Sequence, residues 1–189
     1  MEIERGRKIN VFMTCLFVVT VAIVRACFGA PVFAQQQDNP GTPSVTAAYR
    51  DGDISIDGRV DEDAWRNAVP ATEFVQGEPV EGNPAEEHME VRVLYDENAI
   101  YVGAIMYDRE PHLIGDQLVR RDDWGQFDYF AFSIDSNSDK RTGYRFQVSA
   151  AGVQRDEYMF NDVNEDDAWN AVWGSAVHRG DFGWSAELR

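Results

Sequence analysis

From Val45 onward the chain alternates apolar and polar residues with a period of two, interrupted by Asp, Asn and Gly about every ten residues. A period of two sends successive side chains to opposite faces, so each run predicts a half-buried strand. Val45 to Arg50 and Ile54 to Ile56 are predicted as short strands around Asp51-Gly52-Asp53, a tight-turn sequence. Met89 to Tyr95 and Ala99 to Tyr107 form a predicted hairpin around Asp96-Glu97-Asn98. Phe127 to Ile134 and Gly143 to Ser149 form a second around Asp135-Ser136-Asn137-Ser138-Asp139, and Gly152 to Phe160 continues the meander. An acidic loop, Asn161 to Asp167, leads to two last strand-like segments, Ala171 to His178 and Gly183 to Leu188. Only Asp61 to Ala68 reads as a helical turn, with acidic residues at its start and Trp65 and Ala68 facing inward. This pattern predicts an all-β fold: an antiparallel β-sandwich with jelly-roll or immunoglobulin-like layering and one short helix.

The residues before Val45 have a different character. Arg5, Arg7 and Lys8 precede an apolar run from Val11 to Val24, and small residues follow Arg25 up to Ala34. That is the layout of a secretory signal peptide over 1–34, with cleavage expected between Ala34 and Gln35. The run is short for a bilayer span of roughly 20 residues. Arg25 beside Cys27 is a poor fit to a lipid-attachment site, although a lipoprotein signal and an uncleaved anchor remain as alternatives. Residues 35–44, with three Gln, two Pro and a Gly, read as a flexible linker, which leaves 45–189 as the folded domain. The chain stops inside a strand-like phrase, so the sandwich is expected to be truncated at its C-terminal end, with a strand edge uncovered.

Charge sharpens the division. The chain carries 17 Lys and Arg against 33 Asp and Glu, a net charge of −16, and residues 1–34 hold four of the bases and two of the acids. The remainder is therefore −18, and so acidic a surface without a basic stripe argues against nucleic acid as a partner. Cys15 and Cys27 both lie in the leader, so the expected mature domain has neither a disulfide nor a thiolate metal site.

Candidate chemistry centres on one loop. Trp124 stands between Asp122-Asp123 and Gly125-Gln126, just before a strand and in polar company unusual for a core residue. Sugar rings stack their C–H faces on aromatic planes, and their hydroxyls need carboxylate, amide or guanidinium partners. Trp124 with Asp123, Gln126 and Arg121 is therefore a candidate glycan site; the competing reading folds Trp124 back over the end of the sandwich. Trp65, Trp173 and Trp184 read as core, and Trp169 as either. Asp135, Asn137 and Asp139 match the first half of a calcium loop, but Lys140 stands where an EF-hand needs Gly, so turn formation competes with a structural Ca²⁺ site. His88, His112 and His178 lack metal spacing, and no phosphate loop, nucleophile elbow or dinucleotide fingerprint occurs. Paired carboxylates for hydrolysis carry no signal in so acidic a chain.

Several phrases in order resemble one family. Ile56-Asp57-Gly58-Arg59-Val60-Asp61-Glu62-Asp63-Ala64-Trp65, then Val91 to Asp96 with Ile100-Tyr101-Val102-Gly103, then Trp124, Asp128 and Ile134-Asp135, and finally Gly183-Trp184-Ser185-Ala186-Glu187 are similar to family 9 carbohydrate-binding modules. Arg121-Asp122-Asp123 and Asp139 to Tyr144 most resemble the version at the N-terminus of large bacterial envelope proteins that end in a membrane-associated barrel. The resemblance implies non-catalytic binding of a polysaccharide or oligosaccharide, associated with carbohydrate catabolism in a larger glycan-processing or envelope protein. It implies Trp124 as one side of a sugar clamp whose second Trp lies beyond Arg189, and a structural Ca²⁺ in some members. The location it implies is periplasmic, outer-membrane-associated or extracellular, with an outer-membrane barrel in cis as a partner. The alternatives are the N-terminal part of a glycoside hydrolase and a purely structural periplasmic domain.

Overall fold

The computed structural model describes residues 45–161 and 164–189, together with the backbone of Leu16 and Phe17. The expected signal peptide and linker otherwise lie outside the described residues, as do Asp162 and Val163 of the acidic loop. The strands are β1 (Leu16–Phe17), β2 (Ala48–Tyr49), β3 (Met89–Tyr95), β4 (Ile100–Tyr107), β5 (Tyr129–Ile134), β6 (Thr142–Ser149), β7 (Gln154–Phe160), β8 (Asn164–Asp166), β9 (Ser175–Gly180) and β10 (Gly183–Leu188). They form two sheets, ordered β1-β5-β6-β7-β8 and β2-β3-β4-β10-β9. All pairings are antiparallel except β1 with β5 and β2 with β3. The predicted all-β sandwich is thus the observed one.

Its core follows from the alternation. Val91, Val93, Val102, Ala104, Trp184, Ala186 and Leu188 of one sheet face Phe130 and Val148 of the other, all buried. The sheet carrying β3, β4 and β10 also covers its second face. Ala64, Trp65 and Ala68 pack on Leu94 and Tyr101 there, and Ile54, Ile56 and Val60 close the cluster. Trp65 and Trp184 are core residues, as expected.

Three expectations about elements need correction. Ile54 to Ile56 is not a strand: the Ser55 N–H donates to Glu62 Oε1 (2.9 Å), and those of Asp57 and Gly58 donate to Glu187 Oε2 (2.9 Å each). Carboxylates replace a ladder here, so the two isoleucines pack on Trp65 without pairing. The helical turn is a 3₁₀ helix, Asp63–Asn67, and Pro111–Leu113 forms another that the pattern did not announce. The acidic loop contains β8, which pairs Asn164 with Phe160 and Asp166 with Tyr158. Its residues are all exposed, so no apolar alternation could mark it.

Gly58 is where the 54–68 segment is fastened to the sheet. It has φ +89, and a Cβ there would stand 2.4 Å from the carbonyl carbon of Val177. The carbonyl of Gly58 also accepts from the Ser185 hydroxyl (2.6 Å). Only glycine combines that φ with so close a backbone approach.

Candidate carbohydrate-binding site

The strands β5, β6 and β7 alternate core and outward residues, and the register brings the outward ones into a grid. Ala131 pairs with Gln147 and Gln147 with Arg155, while Ser133 pairs with Arg145 and Arg145 with Glu157. Tyr129 pairs with Ser149 at one end. The opposite face of the same strands carries Phe130, Phe132, Phe146 and Val148, which belong to the core. A sheet with an apolar inner face and Arg, Gln and Glu outside is ordinary, except that Gln147, Arg155 and Glu157 are buried. Charges in such a place must be paired.

The pairing is complete. Arg155 donates from Nε to Glu157 Oε1 (2.5 Å) and also bridges that oxygen through Nη2. Arg145 donates to Glu157 Oε2 (3.1 Å) and to Glu165 of β8 (2.6 Å). The remaining Nη1 of Arg155 reaches the carbonyl of Asp122 (3.1 Å), which stands in the left-handed region at φ 68.

That last contact leads into the loop with Trp124. Gln117 and Gln126 clasp each other: the Gln126 N–H donates to Gln117 Oε1 (2.6 Å) and the Gln117 N–H to the Gln126 carbonyl (3.3 Å). Trp124 is 57% exposed. Its indole lies nearly parallel to Phe127 (centroids 6.4 Å, 12°) and edge-on to Tyr129 (5.8 Å, 72°). The Arg155 guanidinium carbon stands 4.5 Å from its ring centroid, a cation–π contact. An aromatic plane held at the rim of a polar grid is a surface on which a sugar ring can stack.

The sequence-derived candidates divide in this setting. Trp124, Asp123 and Gln126 are exposed side by side on the loop. Arg121 is turned away: it donates to Gln154 Oε1 (2.8 Å), to the Ala171 carbonyl (3.1 Å) and to Asp156, whose side chain is fully buried on the inner side of β7. Its five donors are held by the protein, so it anchors the loop instead of facing a ligand. Trp173 donates through Nε1 to the same Asp156 (3.3 Å), and Trp169 lies against Tyr144 (4.7 Å). Tyr129, Arg145, Gln147, Arg155 and Glu157 were not singled out from the sequence. The signal was present, because polar residues recur at every second position of β6 and β7, but only the register shows that they meet.

The turn between β5 and β6 does not fit Ca²⁺. Asp135 is buried and accepts the N–H groups of Asn137 (3.1 Å), Asp139 (3.3 Å) and Lys140 (2.8 Å). Asp139 accepts from the N–H groups of Arg141 and Thr142 and from the Thr142 hydroxyl, which holds its carboxyl below the usual range. Oxygens that face donors in this way present no free lone-pair cage to a cation, and the loop is a capped turn. Among the described residues no group of three or more His, Cys, Asp or Glu is placed to hold a metal ion.

Elsewhere, a cleft of about 330 Å³ opens between the sheets, lined by Ile100, Phe132, Ile134, Phe146, Trp173 and Leu188 among others. It is largely apolar and does not include Trp124.

Comparison with known proteins decides the family. A family described as "Carbohydrate family 9 binding domain-like" matches residues 56–189. The chain belongs to this family. Among solved structures it is similar to a family 9 carbohydrate-binding module from Caldicellulosiruptor kristjanssonii in complex with cellotriose (TM-score 0.52, 18% identity), covering 75% of this chain and 64% of that one. A structure of a family 9 module from the same organism in complex with glucose is similar at TM-score 0.50 and 17% identity, with 75% and 65% covered. The family 9 chain here thus spans just under two thirds of the length of the modules it matches. No curated protein matches it.

Proposed function

We propose that this family 9 domain binds an oligosaccharide or the end of a polysaccharide by stacking a sugar ring on Trp124. Asp123 and Gln126 are placed to bond its hydroxyls, and the Arg155-Glu157-Arg145 grid forms the floor. The observation that carries this reading is the exposed indole, braced on one side by Arg155 and Phe127 and open to solvent over half its surface. The cellotriose and glucose bound by the two similar modules support the ligand class. Titration calorimetry with cellotriose and with glucose tests it. Trp124→Ala is expected to lower affinity at least tenfold, about 1.4 kcal/mol, while leaving the melting temperature nearly unchanged, because the removed ring is largely in water. Equal binding heats from both proteins would reject the site.

Export and a larger context belong to the same reading. The basic, then apolar, then small-residue order of 1–34 supports secretion to the periplasm, the outer membrane or beyond. A module of this kind would hold a carbohydrate-degrading or envelope protein against its polysaccharide. N-terminal sequencing of protein recovered outside the cytoplasm is expected to begin at Gln35; a start at Met1 would contradict a cleaved leader.

A further inference from the structure

We propose that Glu157 is a positioning residue of the Trp124 site: it fixes Arg155, and through Arg155 the plane of the Trp124 indole and the backbone that carries it. The inference rests on the reading of Trp124 as the stacking residue and adds a dependence on a buried side chain that no ligand touches. Glu157 is 1% exposed, on the same outward face of β7 as Arg155, two residues away. One of its oxygens takes both Nε and Nη2 of Arg155, and the other takes Arg145. An arginine held at both of those nitrogens has its plane set, and Nη1 is left to point at the Asp122 carbonyl. The same plane lies against the Trp124 ring.

An exposed tryptophan on a polar loop otherwise samples several rotamers, and a ligand must select one of them, which weakens binding. Bracing the indole beforehand avoids that loss. Glutamate is suited to the task where glutamine is not: both oxygens accept, and the two guanidinium groups that converge on it need a negative charge between them. Arg145 is in turn shared with Glu165, so the brace extends from β8 across to the Trp124 loop.

The test uses the full domain with 5-fluorotryptophan at its five tryptophans, the Trp124 fluorine resonance being assigned with Trp124→Phe. In the ligand-free protein, Glu157→Gln is expected to shift or broaden the Trp124 resonance while those of Trp65 and Trp184 stay in place. Cellotriose affinity falls three- to tenfold in the same variant. Because Glu157→Gln leaves two guanidinium groups close together, a second protein, Arg155→Gln with Glu157→Gln, removes one of them and keeps the fold. It is expected to match Arg155→Gln alone in resonance and affinity, since Glu157 acts through Arg155. An unmoved Trp124 resonance in Glu157→Gln overturns the proposal, and so does a moved resonance with unchanged cellotriose affinity. If Trp124→Ala binds cellotriose as the unaltered protein does, the stacking reading falls, and the ligand-free resonance alone then upholds or overturns the brace.

Discussion

Asp156→Ala is expected to destabilise the domain by about 3 kcal/mol and to weaken sugar binding, although Asp156 lies on the opposite side of the sheet from Trp124. The side chain is fully buried and accepts from Arg121, from the Ala171 N–H (2.5 Å) and from Trp173 Nε1 (3.3 Å). Truncation leaves the Ala171 and Trp173 donors unpaired and removes the counter-charge of Arg121. Losing one member of a buried pair costs about 3–5 kcal/mol. The lower end applies because the Arg121 side chain is 38% exposed and water can solvate it. Arg121 in turn ties down the loop next to Asp122, so its release loosens the segment on which Trp124 stands. Urea unfolding should show a lower midpoint at an unchanged slope, with a smaller loss for Asp156→Asn, which keeps an acceptor for Ala171. A change under 1 kcal/mol for Asp156→Ala would show that the loop is held by other contacts.

Stability is also expected to fall by about 3 kcal/mol as pH rises from 4.5 to above 7, on account of Glu187. Burial pushes its carboxyl up to about 7, against the N–H groups of Asp57, Gly58 and Trp65, which favour the anion; nearby Glu62 adds to the rise. The native state therefore holds this proton more tightly than the unfolded chain, whose Glu titrates near 4.5. Such a group contributes its full stability below pH 4.5 and loses it as pH climbs through 7. On the acid side the slope reverses. Asp96, lowered to about 2 chiefly by the Asn98 N–H and further by Tyr101, Ala99 and Arg50, contributes stability that is lost as pH drops below about 4. Urea midpoints measured from pH 3 to 8 should peak near pH 4–5, and Glu187→Gln should flatten the fall above the peak. An identical fall in that variant would assign the pH dependence to other groups.

Glu187 also shows what a sequence can and cannot reveal. In Gly183-Trp184-Ser185-Ala186-Glu187-Leu188 the alternation marks Trp184, Ala186 and Leu188 as core, and all three are buried in it. By the same rule Ser185 and Glu187 belong on a solvated face. They are just as buried, because the 54–68 segment lies over that face and its N–H groups need acceptors. No periodicity contains that information, since the covering segment lies about 120 residues away along the chain. The isoleucines at 54 and 56 mislead for the same reason. Their spacing suits a strand, but their backbone donors go to Glu62 and Glu187.

The candidate site divides along the same line. Trp124 could be found by reading, because an indole among Asp, Gly and Gln just before a strand has no core to join. Arg121 looked equally placed, yet a guanidinium on a long stem goes to the strongest buried acceptor within reach, and that is Asp156 on the other side of the sheet. Gln147, Arg155 and Glu157 were invisible as a group because they come from two strands whose register, not their order, makes them neighbours.

The sequence by itself determined the sandwich, its core strands, the acidity of the domain and the exposed tryptophan, because each follows from local periodicity or composition. The tertiary structure alone decided which carboxylates are buried, which arginine braces the indole and which anchors its loop. Those outcomes depend on hydrogen-bonding groups that meet only once the strands have paired.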